Sequence, residues 1–183
     1  RNACWIRQPI ARGKVLPSSF ERVAEMQDSF QAYLDRVRGI VAQHGHMVQA
    51  VGISPQECFA YTVGLAPALG CELFIAGLPQ GTAMALLNDL AAKLRRRLIP
   101  DGENIDDVAA GLPLRLQTYA VTDSARGIDR SELVAVALRL GYPVQYIRQM
   151  VWPDRKGRFP GEAGYDHPHP QSIDLLVHMP AKH

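Results

Sequence analysis

A chain of 183 residues, 47% of them apolar, has the size of one ordinary domain and can bury a core without disulfides or a structural metal. Its 20 basic and 18 acidic residues leave a net charge of +2, which argues against the concentrated basic surface of a nucleic-acid binder. Cys4, Cys58 and Cys71 show neither CxxC nor zinc-ligand spacing, and there is no apolar run of the roughly 20 residues that a membrane span needs, nor a hydrophobic signal core. The expectation is a cytoplasmic protein with reduced thiols and no membrane partner.

Residues 1–17 contain Pro9 and Pro17 and no sustained periodicity, and read as an N-terminal extension. Ser18 followed by Glu21 makes a capping-box pattern. The helix it opens carries Val23, Met26, Phe30, Leu34, Val37 and Val41 on one stripe and stops at Gly45. Segments 47–53 and 58–63 have strand length and are predicted to pair across Ser54-Pro55. A third strand over 73–76 ends at Gly77. A helix then opens at Gly81-Thr82, with Leu86, Leu87, Leu90, Ala91, Leu94 and Leu98 as its apolar positions.

The acidic stretch 101–107 reads as a turn and 114–121 as a strand. Asp129 with Glu132 repeats the capping logic for a helix over 130–140, which Gly141 and Pro143 stop. A last strand is predicted over 144–152. Residues 162–183 form an irregular tail rich in histidine and proline, apart from the apolar 173–177. The order predicts a single α+β domain over 18–161, with a mixed, mostly antiparallel sheet of about five to six strands covered by about three helices.

The densest chemistry lies in 151–160, which holds Trp152, Asp154, Arg155, Lys156 and Arg158 between Pro153 and Pro160. The prolines fix φ and restrict the residues before them, while Gly157 is permissive, so a rigid loop is expected. Arg155 and Arg158 could grip a planar anion against Trp152; alternatively, Asp154 pairs internally with Arg155 or Arg158 and only stiffens the turn. In 59–65, alternation puts Phe59, Tyr61 and Val63 on one sheet face and Ala60 and Thr62 on the other. The Tyr61 hydroxyl can donate to a ligand or act as an acid, or it can be that of a core aromatic.

His44, His46, His167 and His169, with Asp166, contain enough donors for a divalent metal. Their i, i+2 spacing is not a helical zinc motif, and exposed histidines are the alternative. Arg95-Arg96-Arg97 reads as a solvated helix end, where cations complement the dipole, with a phosphate or partner site as the alternative; Cys58 and Cys71 read as buried inert thiols, or as nucleophiles if a base lies near. GxSxG, Walker and GxGxxG patterns are absent, so the commonest hydrolase, nucleotide-triphosphatase and dinucleotide-binding readings lack support; the cofactor is left unknown, with a divalent metal possible but not favoured.

Two motifs carry a resemblance. The strings His44-Gly45, Phe59-Ala60-Tyr61-Thr62-Val63-Gly64-Leu65, the Glu72 to Pro79 stretch ending Gly77-Leu78-Pro79, Leu87-Asn88, Val151-Trp152-Pro153-Asp154-Arg155 and Gly157-Arg158-Phe159-Pro160 occur in an order that resembles a bacterial family known only as a domain of unknown function. The likeness runs over about 35–161 and implies a cytoplasmic bacterial α+β domain; it brings no established activity or catalytic residues. Where that family often has tryptophan after His-Gly and after the last Phe-Pro, this chain has His46 and Gly161.

Three functions follow as expectations. One is a small-molecule or anion-binding accessory module taking a small anionic or aromatic ligand, with Trp152, Arg155, Arg158, Tyr61 and Thr62 around one pocket. Another is a small enzyme in which Asp154 is a base oriented by Arg155 and Tyr61 an acid or electrophilic stabiliser. The third is a protein interaction module using Glu25, Asp28, Asp35, Arg36 and Arg38 of the first helix.

Overall fold

The computed structural model describes residues 19–52, 58–109, 111–123, 125–166 and 171–178. Six strands form one sheet in the order β1-β2-β3-β6-β5-β4. They are β1 (Met47–Val51), β2 (Phe59–Val63), β3 (Cys71–Ala76), β4 (Ile105–Ala109), β5 (Leu112–Ala120) and β6 (Tyr146–Val151). The central pair β3 and β6 runs parallel, with Cys71 opposite Tyr146, and the other neighbours are antiparallel. The result is the mixed, mostly antiparallel α+β sheet that the sequence predicts.

Period-two alternation sorts the strands into two faces. Ala60, Leu73, Ile75, Leu114, Leu116, Met150 and Trp152 pack beneath Leu87, Leu90 and Ala91 of α3 (Gln80–Leu94). Phe59, Tyr61, Val63, Phe74 and Ile147 pack on the other side with Leu34 and Val37 of α1 (Ser19–His44), Leu133 and Val136 of α4 (Glu132–Arg139) and Leu176 of α5 (Leu175–His178). Each large apolar side chain so buried contributes roughly 1.5–3 kcal/mol.

Gly45 ends α1 as expected, its N–H donating to the Val41 carbonyl at 2.7 Å. At Gly64, a Cβ would sit 2.7 Å from a Val41 methyl and φ is +105°, so only glycine lets β2 leave the sheet this close to α1. The Ser18–Glu21 cap and the apolar positions Val23 and Met26 lie outside the described residues and side chains.

Four expectations need correction. The helix predicted to reach Leu98 ends at Leu94, leaving Leu98 85% exposed. The acidic stretch 101–107 is only partly a turn, because Ile105 is buried and starts β4, while Asp106 and Asp107 face solvent and Lys93 pairs with Asp107. The cap of α4 is Ser131 rather than Asp129: its hydroxyl accepts from the Val134 N–H at 3.5 Å, and Asp129 sits in the preceding 3₁₀ turn. Finally, the segment after 161 is tied to the domain, since Gln171, Ile173 and Leu176 are buried and α5 follows.

Candidate functional site

The dense 151–166 segment is a clasp. The Asp154 side chain is 1% exposed, and its Oδ1 accepts the N–H groups of Lys156 at 2.8 Å and Arg158 at 3.0 Å. Oδ2 takes Arg158 Nε at 2.9 Å, Arg158 Nη2 at 2.7 Å and the Asp166 N–H at 3.0 Å. Burial alone would push this carboxyl up, but the hydrogen bonds from Arg158, Asp166 and Lys156 outweigh it and hold it well below the usual carboxylate range. Gly157, at φ +79°, lets the chain turn back so that the Asp154 N–H meets the Arg158 carbonyl at 2.7 Å.

The flanks of the clasp are equally committed. Trp152 is 3% exposed and belongs to the core under α3, so it presents no stacking wall to solvent. Its backbone N–H and C=O pair with the Gln171 amide, each at 2.9 Å, as a neighbouring strand would. Phe159 lies under the Arg115 guanidinium at 3.8 Å, and Glu162 accepts from both Arg115 Nη1 and the Phe159 N–H. Among the residues nominated from this segment, only Arg155 is exposed at the tip without a partner among the described residues.

The second motif is also spent internally. Glu72, fully buried, accepts from the Thr62 hydroxyl at 2.6 Å, the Gly64 N–H at 2.8 Å and the Ala66 N–H at 3.0 Å. The Thr62 oxygen in turn accepts the Leu73 N–H at 2.8 Å. This carboxylate therefore holds the corner between β2 and the short helix α2 (Ala66–Leu69). Burial raises its pKa, and the hydrogen bonds from Thr62, Ala66 and Gly64 oppose that rise. Tyr61 points to the opposite face, fully buried, with its hydroxyl facing Tyr33 and Glu132. Burial pushes that phenol far above its ordinary value, and the fully buried hydroxyl has no access to a cleft among the described residues. Tyr61 and Thr62 thus share no pocket.

Of the nominated histidines, His167 and His169 lie outside the described residues, and His44 is exposed. His46 is buried, with Nε2 2.9 Å from Asn88 Oδ1 and Nδ1 3.1 Å from Arg95 Nη2. A guanidinium can only donate, so Nδ1 accepts and Nε2 carries the proton to Asn88. Burial lowers the pKa of this imidazole, which fits its neutral form. Both ring nitrogens are engaged, and no cluster of metal-ligating side chains exists among the described residues.

Unspent donors occur elsewhere. Where β3 and β6 begin side by side, a cleft of about 260 Å³ opens against the C-terminal end of α3. Leu69, Leu94, Leu98 and Tyr146 wall it, Cys71 lies at its floor, and Arg97 and Arg148 bring two guanidinium groups. Arg148 is fixed by Thr118 Oγ1 at 3.2 Å, the Ile99 carbonyl at 2.6 Å and Asp101 Oδ1 at 2.9 Å, all through Nε and Nη2. Its Nη1 has no hydrogen bond among the described residues. Arg97 meets Glu103 only through Nη1, at 3.2 Å. The basic run, read from sequence as a solvated helix end, thus contributes Arg97 to a concave surface; the one local signal for it was a leucine directly after three arginines.

The comparison with protein families decides the lineage of this domain, because one family model matches residues 40–166. The chain belongs to the family described as Domain of unknown function (DUF4262). The DUF4262 match takes in every residue that lines the cleft as well as the whole Asp154 clasp. No curated protein and no solved structure is detectably similar.

Proposed function

We propose that this DUF4262 domain is a small-molecule-binding module of the bacterial cytoplasm, and that the cleft between α3 and the start of β3 and β6 holds the ligand. The observation that carries the reading is the pairing of exposed apolar surface with unspent donors. Leu98 is 85% exposed and Tyr146 46% exposed, beside guanidinium edges that no group among the described residues occupies. Concave apolar walls with a few convergent polar groups are the usual form of a ligand site. The free thiols Cys58 and Cys71 suit a reducing compartment.

A thermal-shift titration with 1-anilinonaphthalene-8-sulfonate, an aromatic anion, tests the reading. Probe at one hundred times Kd is expected to raise Tm by about 5–10 °C, and Leu98→Asp and Tyr146→Asp should each abolish the rise without lowering the Tm of the free protein appreciably. An unchanged rise in both variants would move the binding surface away from the cleft.

A further inference from the structure

We infer that the ligand of the cleft is a compact amphipathic monoanion, an apolar or aromatic body bearing one carboxylate that meets the Arg148 and Arg97 edges. This rests on the cleft being the binding site proposed above. Size sets the first limit. The cleft, at about 260 Å³, falls below the roughly 300–1,000 Å³ of pockets for drug-sized molecules, so the body is small. Leu69, Leu94 and Leu98 favour an apolar body and the Tyr146 ring favours a planar one.

Charge sets the second limit. Each guanidinium already faces one carboxylate, Arg148 that of Asp101 and Arg97 that of Glu103. A ligand with two negative charges would leave the second charge facing these acids, whereas a neutral ligand would leave the remaining N–H edges unmatched. One carboxylate satisfies both conditions, and planar guanidinium edges favour a planar anion. Arg148 is preorganised, because its side chain is only 12% exposed and three groups of the fold hold it. At the floor, burial pushes the Cys71 thiol up to about 11, so it remains neutral and adds no competing charge.

Isothermal titration calorimetry of the folded chain with phenylacetate, 2-phenylethanol and phenyl phosphate at pH 7.5 supplies the readout, with Leu98→Asp reporting whether the heat comes from the cleft. Phenylacetate is expected to bind with a Kd at least about tenfold below those of the alcohol and the dianion, in keeping with one charge-assisted hydrogen-bonded contact. Arg97→Met, which alters an exposed side chain, should shrink that preference while the protein stays folded. If the alcohol or the phosphate binds as tightly as phenylacetate, the monoanion assignment is overturned and the site stands. If none of the three, nor the naphthalene sulfonate, binds, or if Leu98→Asp leaves their binding unchanged, the binding site itself is refuted.

Discussion

The two motif segments and the cleft divide this protein's polar chemistry in opposite ways. Around Asp154 and Glu72, carboxylates, amides and hydroxyls are matched partner for partner, and nothing faces a ligand. Around Leu98 and Tyr146 the residues are plain, yet apolar surface and guanidinium edges remain unmatched among the described residues. Chemical density in a sequence therefore marks where the fold is clasped as readily as where it acts. A residue is available for binding only after its internal partners have been counted.

The largest expected effect lies on the clasped side. Glu72→Ala removes the acceptor of the Gly64 and Ala66 N–H groups and the Thr62 hydroxyl, orphaning buried donors while relieving one buried charge. Urea unfolding should show a loss of about 3–5 kcal/mol, with the folded fraction still binding the naphthalene sulfonate. Loss of binding with little loss of stability would reverse the assignment of roles.

Asp154→Asn comes next, and its pH dependence has a definite sign. The folded pKa of Asp154 is held down, so its stabilisation is complete above the unfolded value of about 4 and is lost as pH falls through the folded value. At pH 7 the variant should melt roughly 5–10 °C below the parent, and the gap should close in acid. Glu72 runs the other way: its folded pKa is raised, so the stability of the parent relative to Glu72→Gln falls as pH rises from about 4.5 through the folded value. Melting curves from pH 3 to 8 separate the two carboxylates; parallel curves for the two variants would break the distinction.

Much of this fold was legible because burial follows local periodicity. The alternation in 59–63 assigned Phe59, Tyr61 and Val63 to one face, where they pack with α1 and α4. Strand β4 is hidden because Asp106 and Asp107, which face solvent, separate Ile105 from Val108 and Ala109 on the core, and α3 reads too long because Leu98 continues the periodicity of a helix that stops at Leu94. The internal ion pair was legible as one of two readings of the 154–158 spacing. The cleft was not, since its lining comes from four separate stretches, around 69–71, 94–98, 118 and 146–148, that only the sheet order brings together.

On the cleft side, Leu98→Asp sharpens the comparison. Its stability should remain within about 0.5 kcal/mol of the parent, as for other exposed positions, while the ligand-induced rise in Tm disappears. A large fall in stability would mean that Leu98 packs in a way its exposure denies. The smallest effect is expected at Arg155→Ala: with no partner among the described residues and no place in the cleft, it should change Tm by about 1 °C or less and leave probe binding intact.

The most direct test of the division is a ¹H–¹⁵N spectrum of the folded chain titrated with phenylacetate. Saturable shifts are expected, centred on the amides of Leu69, Cys71, Leu98, Tyr146 and Arg148, with Asp154 to Arg158 unmoved. Shifts centred on Arg155 to Arg158 with a silent cleft would contradict it and return the binding role to the turn.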